Sequence, residues 1–145
     1  MNTKYQLPMD GGLANEVAPN DIVHRYERIP TKVFKSEYYG VQYIADIICR
    51  LIRNHTNNAS ARDIYEELPP FVLGLTTGRT PLGLYRELVK RHQRGEVSFK
   101  NVAVYSLDEF YPIRNTDQQS RNFHIHDEFL KHIDILPENV HIPDG

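Results

Sequence analysis

Apolar residues recur at intervals of three and four positions in the first clearly patterned part of the chain. After Ser36 these positions form one stripe: Val41, Ile44, Ala45, Ile48, Leu51 and Ile52. The spacing predicts an amphipathic helix with Ser36 as its N-cap, and the asparagine-rich segment 54–58 predicts its end. Residues 1–30 carry prolines and glycines but no apolar period, so we expect residues 1–31 to form a flexible N-terminal extension.

Short apolar runs alternate with helical patterns in the rest of the chain. A helical stretch at 61–68 ends at a pair of prolines, and the compact apolar run Phe71–Leu75 then predicts a buried strand. The next segment predicts a helix with Thr80 as N-cap, Pro81 at its first position and Gly95 near its end. The remaining predicted elements are a buried strand at 102–107, a helix at about 119–132 and a strand at 140–142.

This alternation is typical of α/β proteins in which a parallel sheet carries helices on both faces. Three strands are fewer than such a sheet usually contains, so we expect residues 32–145 to form an incomplete Rossmann-like domain. An incomplete sheet leaves an open edge, which another chain would cover. The pattern therefore allows for a homo-oligomer.

Composition narrows the classes of partner. The 145 residues include 17 Lys and Arg against 19 Asp and Glu, and the net charge of −2 provides no positive field for nucleic acid or anionic lipid. The apolar stretches fall far short of the roughly 20 residues of a membrane-spanning helix. The single cysteine, Cys49, excludes an internal disulfide and lies on the predicted helix stripe, where it would be a small buried apolar residue. We expect a cytoplasmic protein with neither nucleic acid nor membrane as partner.

The loop after the first predicted strand is a candidate phosphate site. In open α/β sheets ligands bind beyond the carboxyl ends of the strands. This loop contains Thr77, Gly78, Arg79 and Thr80, whose hydroxyls and the free N–H groups of the following helix suit a phosphate. An ordinary strand-to-helix turn explains the same residues equally well. The spacing does not match a Walker loop, which argues against a nucleotide triphosphatase.

The loop after the second predicted strand begins with two adjacent acids, Asp108 and Glu109. Adjacent residues of an extended chain point to opposite sides, so one carboxylate can face the crevice while the other is held behind it. A carboxylate partly withdrawn from water there can be tuned toward neutral pH and act as a general base toward a carbon-bound proton. A solvated pair of loop acids is the simpler alternative.

Histidines provide the main candidates for metal ligands. His124, His126 and His132 lie near Asp127, but no two of these histidines are four residues apart. On a helix His124 and His126 point in different directions, so we predict no metal site.

Three segments in this order resemble the glucosamine-6-phosphate deaminase family: FVLGLTTGRTP at 71–81, VSFK at 97–100 and SLDEF at 106–110. The resemblance begins near Lys32 and covers about the first half of that family's domain. It implies a Rossmann-like fold, no required cofactor, and conversion of glucosamine 6-phosphate and water to fructose 6-phosphate and ammonia.

The same resemblance implies roles for individual residues. Asp108 corresponds to the acid that moves a proton from C2 to C1, Glu109 is its motif neighbour, and Thr77–Thr80 is the phosphate-binding turn. Arg79 stands where the family usually has a second glycine. Its side chain would contact the phosphate, or else point to solvent or to a carboxylate such as Glu109. The ring-opening residues and basic phosphate clamps correspond to positions beyond Gly145, so we expect residues 1–145 alone to be inactive.

Two other functions remain open. The related sugar-phosphate lactonases share the Asp-Glu pair, and Ser120-Arg121-Asn122 echoes their pattern, but segment 97–100 and Leu107 favour the deaminase. A non-catalytic sugar-phosphate-binding module of a larger protein is the third possibility, suggested by Arg79 and the long N-terminal extension.

Overall fold

The computed structural model describes residues 31–59 and 68–145. The helices and strands are α1 (Glu37–Ala59), β1 (Phe71–Leu75), α2 (Arg79–Gln93), β2 (Val102–Ser106), α3 (Arg121–Glu128) and β3 (Val140–His141), with 3₁₀ turns at Leu130–His132 and Pro137–Asn139. Apart from Thr31 and Leu68, the predicted extension at 1–31 and the predicted helix at 61–68 lie outside the described residues.

The three strands form one parallel sheet in the order β1-β2-β3. Phe71 pairs with Val102 and Leu75 with Ser106, while Val104 pairs with Val140. The alternation of parallel strands and helices is the α/β architecture that the sequence predicts. Because β1 and β2 end at the same level, the loops that follow them begin side by side.

The core lies against one face of this sheet. Its buried residues come from all three helices, β1 and β2, and the segments around Phe99 and Phe129, with the Tyr85 ring stacked on Phe129 at 5.1 Å and the Phe99 ring edge-on to it at 5.5 Å. Side chains of the opposite face are less covered: Val72 is 62% exposed and Tyr105 is 47% exposed. The prediction of fully buried strands is therefore wrong at these two positions, although Ala103 on the same face is 2% exposed. Leu107, predicted to end β2, is 80% exposed beyond it.

Helix α1 follows the predicted apolar stripe but is longer than predicted. It begins directly after Ser36 and buries Ala45, Cys49 and Ile52, whereas Ile44, predicted on the same stripe, is 45% exposed. The predicted end at 54–58 is wrong because polar side chains in the last turns find partners. The Thr56 hydroxyl donates to the Ile52 carbonyl at 3.1 Å, and the His55 ring contacts the Pro69 carbonyl oxygen at 2.7 Å. No helix in the described ranges is long and apolar enough to cross a membrane.

Helix α2 starts two residues earlier than predicted. Gly78, not Thr80, is its N-cap, and Pro81 becomes the third helical residue. Proline is tolerated there because N–H groups of the first turn have no partner within the helix. The predicted ending is correct: Gly95 adopts φ 73°, its N–H donates to the His92 carbonyl, and the Glu96 N–H donates to the Arg91 carbonyl. These two bonds form a Schellman motif.

A buried arginine joins α2 to α1. Arg91 is 6% exposed and donates to Glu87 Oε1 at 2.9 Å, to Gln42 Oε1 at 3.0 Å and to Asp46. Burial disfavours charge on both sides of the Arg91–Glu87 pair, but the hydrogen bonds and opposite charges outweigh it. They raise the pKa of Arg91 and lower the pKa of Glu87.

The last predicted helix is divided in the structure. Helix α3 covers Arg121–Glu128, and after Phe129 the chain tightens into the 3₁₀ turn Leu130–His132. Ser120 is the N-cap of α3, and its hydroxyl accepts a hydrogen bond from the Phe123 N–H at 3.3 Å. The break at Phe129, with φ −138°, buries this ring in the core.

Candidate active site

The loops after β1 and β2 lie together at the carboxyl edge of the sheet. Thr77 in the first loop and Asp108 in the second are bridged by the side chain of Arg121 at the start of α3. The Leu107 N–H also donates to the Leu75 carbonyl at 3.1 Å. The sequence-predicted residues of both loops therefore border one crevice.

Backbone conformation determines the shape of the first loop. Gly78 has φ 113° and ψ −179°, a combination accessible essentially only to glycine, and no side chain caps α2. The residue before the turn is fixed by Tyr85, whose hydroxyl accepts from the Thr76 N–H at 3.1 Å and donates to the Thr76 carbonyl at 2.5 Å. Burial raises the pKa of Tyr85, so it remains a neutral hydroxyl. The turn thus presents the start of α2 to solvent.

The two remaining residues of the turn are exposed. Neither Arg79 nor Thr80 is buried, and the Arg79 side chain forms no hydrogen bond or ion pair with the described residues. Of the alternatives for Arg79 in the absence of a ligand, the structure has the side chain exposed to solvent and not paired with Glu109, whose oxygens accept from Ser120 and from the start of α3. Arg79 instead lines the cavity beside the turn.

Glu109 is the anchor of the second loop. Its Oε2 accepts from the Ser120 hydroxyl at 2.7 Å and the Asn122 N–H at 3.0 Å. Its Oε1 accepts from the Arg121 N–H at 2.9 Å and the Phe110 N–H at 2.8 Å. The carboxylate therefore caps the N-terminus of α3, where a negative charge is favourable.

These contacts keep Glu109 ionised. Burial opposes the charged form, but hydrogen bonds from Asn122, Arg121, Ser120 and Phe110 outweigh it and lower the pKa of Glu109 to about 2. A carboxylate with this pKa is a weak base at neutral pH. Glu109 is therefore suited to be the supporting member of the acid pair and not its base.

Asp108 is held much less firmly than its neighbour Glu109. Its side chain is 53% exposed, and Oδ2 lies 3.5 Å from Arg121 Nη2. The Ser106 hydroxyl donates to the Asp108 main-chain carbonyl at 3.2 Å. Glu109 is thus held on both carboxylate oxygens, whereas Asp108 has one long contact with Arg121; that Asp108 faces a bound ligand stays a prediction.

Arg121 is the residue that the sequence reasoning did not place in the site. Its Nη1 donates to Thr77 Oγ1 at 2.5 Å, and its guanidinium carbon lies 4.4 Å from the centre of the Phe110 ring. One signal was available in the sequence. A cation in the first turn of a helix opposes the helix dipole. An arginine directly after a serine N-cap therefore indicates that its side chain has a role other than stabilising the helix.

A cavity of about 280 Å³ opens beside these residues. It is lined by Thr77, Gly78, Arg79, Leu82, Tyr85, Arg121, His124, Ile125 and Glu128. Three of the predicted site residues, Thr80, Asp108 and Glu109, are not among the residues that line this cavity. In the described ranges no three His, Cys, Asp or Glu side chains converge as metal ligands would.

Residues 44–145, well over half of the chain, match the family model described as glucosamine-6-phosphate isomerases/6-phosphogluconolactonase. The chain belongs to this family. The matched range includes both loops, Arg121 and the whole described sheet. Family membership thus agrees with the fold and with the resemblance carried by the three sequence segments.

Curated relatives of the family are similar to the chain over about half its length. A glucosamine-6-phosphate deaminase of Treponema denticola is 50% identical over 76 residues, which are 52% of this chain and 28% of that protein. The deaminase of Drosophila melanogaster is 48% identical over 75 residues, again 52% of this chain and 28% of that protein. The matched stretch therefore spans less than a third of these relatives.

Solved structures of the family share the fold. A monomeric glucosamine-6-phosphate deaminase superimposes with a TM-score of 0.62 at 34% identity, covering 76% of this chain and 40% of that chain. A protein described as devB superimposes with a TM-score of 0.58 at 18% identity, covering 75% of this chain and 40% of that chain. The second match supports the fold alone.

Proposed function

We propose that the chain supplies the sugar-phosphate turn and the general base of a glucosamine-6-phosphate deaminase. The reaction would convert glucosamine 6-phosphate and water to fructose 6-phosphate and ammonia, by aldose–ketose isomerisation and deamination. The observation that carries the proposal is the meeting of Thr77 and Asp108 at one edge of the sheet, bridged by Arg121. It is supported by the 50% identity, over 76 residues, to a glucosamine-6-phosphate deaminase.

Asp108 would be the base. Among the described residues its carboxylate has one charged neighbour, Arg121, and that contact is long at 3.5 Å. An exposed carboxylate with an uncommitted oxygen can accept the proton from C2 of the substrate and return it to C1. Glu109 would be a positioning residue, because its oxygens hold the loop against α3.

The turn Thr77–Thr80 would bind the phosphate. The N–H groups of Arg79 and Thr80 begin the 15-residue helix α2, where the helix dipole favours an anion. Gly78 brings the backbone close to the ligand without a side chain in the way. The exposed Arg79 side chain is free to add a contact to the phosphate.

A coupled assay for ammonia and fructose 6-phosphate tests the proposal, with neither metal nor nucleotide added. We expect a polypeptide that joins residues 1–145 to the rest of the family's domain to release both products. We expect residues 1–145 alone to bind glucosamine 6-phosphate without turnover. Turnover of a 6-phosphogluconolactone but not of the amino sugar would favour the lactonase function. Binding of glucosamine 6-phosphate without turnover, by a polypeptide that joins residues 1–145 to the rest of the family's domain, would favour a sugar-phosphate-binding module. A cytoplasmic location would suit such a small soluble substrate.

A further inference from the structure

Arg121 occupies a position that ordinary helix energetics does not explain. It is the first residue of α3, where a positive side chain opposes the dipole of the helix. The main-chain N–H of the same residue is bound to Glu109, which fixes where the side chain starts. The side chain is 27% exposed, so it is held against the protein rather than extended into solvent.

The contacts of this side chain direct it toward the turn after β1. Phe110 supports the guanidinium on one side, and Thr77 accepts a hydrogen bond from Nη1 on another. The Thr77 residue is separated from Arg121 by 44 positions, so the contact joins two distant parts of the chain. Any anion bound by the Thr77 hydroxyl would therefore lie within reach of the guanidinium.

The guanidinium has unused hydrogen-bonding capacity. It carries five N–H donors, and its Nε is buried without a hydrogen-bond partner among the described residues. The contact with Asp108 is 3.5 Å, longer than a good charge-assisted hydrogen bond. Arg121 is therefore incompletely satisfied by the protein itself.

The charges around the cavity favour an anion. Arg79 and Arg121 both line it, and the one lining carboxylate, Glu128, lies 3.5 Å from Arg86. Arg79 belongs to the turn itself, whereas Arg121 comes from α3 and its side chain is hydrogen-bonded to Thr77 of the turn. Its planar fork can bind two phosphate oxygens at once, which an ammonium cannot do.

We propose that Arg121 is a phosphate-binding residue of this site, making charge-assisted hydrogen bonds to the phosphate held by Thr77–Thr80. The inference rests on the proposed function and adds to it a cation supplied by α3. It assigns Arg121 to recognition of the phosphate group rather than of the sugar. Replacing Arg121 should therefore weaken the binding of phosphorylated sugars and leave the binding of unphosphorylated sugars unchanged.

Isothermal titration of the 145-residue protein with glucosamine 6-phosphate and with glucosamine tests this. We expect Arg121→Gln to raise the Kd for the phosphorylated sugar about 10- to 100-fold, the effect of losing hydrogen bonds to a charged group. Arg121→Lys should show a smaller loss because it keeps the charge but not the fork. Arg94→Gln, which removes the same charge from an exposed position, should stay within about twofold of the unmodified protein.

The other outcomes separate this inference from the function on which it rests. If the unmodified protein binds glucosamine 6-phosphate and Arg121→Gln binds it equally well, the inference is wrong and the function stands. An equal loss for glucosamine would also overturn it. If the unmodified protein does not bind the sugar phosphate, the proposed function fails and the inference fails with it. Should Arg121→Gln not fold, as judged by circular dichroism, unchanged affinity in Arg121→Lys relative to Arg94→Lys would overturn the inference.

Discussion

The loop after β1 and the loop after β2 reach the same crevice by different physical means. The first is shaped by the backbone of Gly78, and its remaining polar groups at Arg79 and Thr80 are exposed. The second is shaped by the Glu109 carboxylate, which binds the N-terminus of the next helix. The backbone of Gly78 shapes the first loop and leaves its N–H and hydroxyl groups available to a ligand. In the second loop the Glu109 carboxylate is used to fix the loop, and the fixed loop positions Asp108.

The largest expected effect comes from exchanging the exposed acid for an amide. In an active form of the protein, Asp108→Asn should lower turnover by about 10²- to 10⁴-fold, because an amide cannot accept the proton. Binding of glucosamine 6-phosphate should be nearly unchanged. Steady-state kinetics with Asp127→Asn as the control, an exposed aspartate elsewhere on α3, checks the assignment. Unchanged turnover in Asp108→Asn would rule it out.

A side chain at the glycine of the first loop should be the next largest effect. Gly78→Ala should lower the free energy of unfolding by about 1–3 kcal/mol, since alanine rarely adopts the φ of 113° found there. Gly74→Ala is a matched control, because an added Cβ meets no atom within 4 Å at either glycine and Gly74 is not in the left-handed region. Urea unfolding of both variants compares them. Equal destabilisation would mean that backbone strain does not set the cost.

Removing the charge of the anchoring acid tests the second loop. Glu109→Gln should lower the free energy of unfolding by about 1–2 kcal/mol at neutral pH. Hydrogen bonds to a charged group contribute about 1.5–3 kcal/mol, and partial exposure of the carboxylate reduces that contribution. Because folding lowers the pKa of Glu109 to about 2, its contribution is present above about pH 4.3 and is lost as pH falls toward 2. The stability difference between the two proteins should shrink over that range in urea titrations. A difference that is constant from pH 5 to pH 2.5 would contradict the role of the charge.

The smallest effect should come from the hydroxyl that fixes the entry to the first loop. Tyr85→Phe removes two hydrogen bonds to Thr76 while keeping the ring that stacks on Phe129. We expect a loss of about 1 kcal/mol, because water can reach the exposed Thr76. Thermal unfolding gives this number, and titration with glucosamine 6-phosphate shows whether the turn shifts. If Tyr85→Phe were fully unfolded, the substitution would have disrupted the packing of the ring on Phe129 and not only the two hydrogen bonds of the hydroxyl.

Local patterns predicted the features that depend on neighbours in the sequence. The apolar runs bounded by turn residues located all three strands, and the period of α1 gave its buried face. The adjacent acids Asp108 and Glu109 were predicted to be held differently, and Glu109 accepts several hydrogen bonds where Asp108 has one long contact. Gly95 was recognised because a helix ending needs a residue that tolerates positive φ.

Features that depend on competition or on distant contacts were not predicted. Thr80 was a good N-cap, but Gly78 could adopt a conformation that starts the helix earlier. The role of Arg121 depends on Thr77, and nothing in the local spacing links them. The domain boundary near residue 31, a homo-oligomer and the catalytic roles of the site residues stay predictions.

The buried contact of Arg91 has a consequence for the alignment of two helices. The apolar stripe of α1 repeats almost every turn. Hydrophobic packing alone would therefore tolerate a shift of α1 along α2 by one turn, about 5.4 Å. Such a slide would carry Gln42 and Asp46 away from the guanidinium and leave a buried cation without them. Glu87, on the same helix as Arg91, would remain paired with it, but other N–H donors of the buried guanidinium would lose their acceptors. An unsatisfied buried donor costs about 1–3 kcal/mol, so Arg91 favours one register among those that hydrophobic contact would accept.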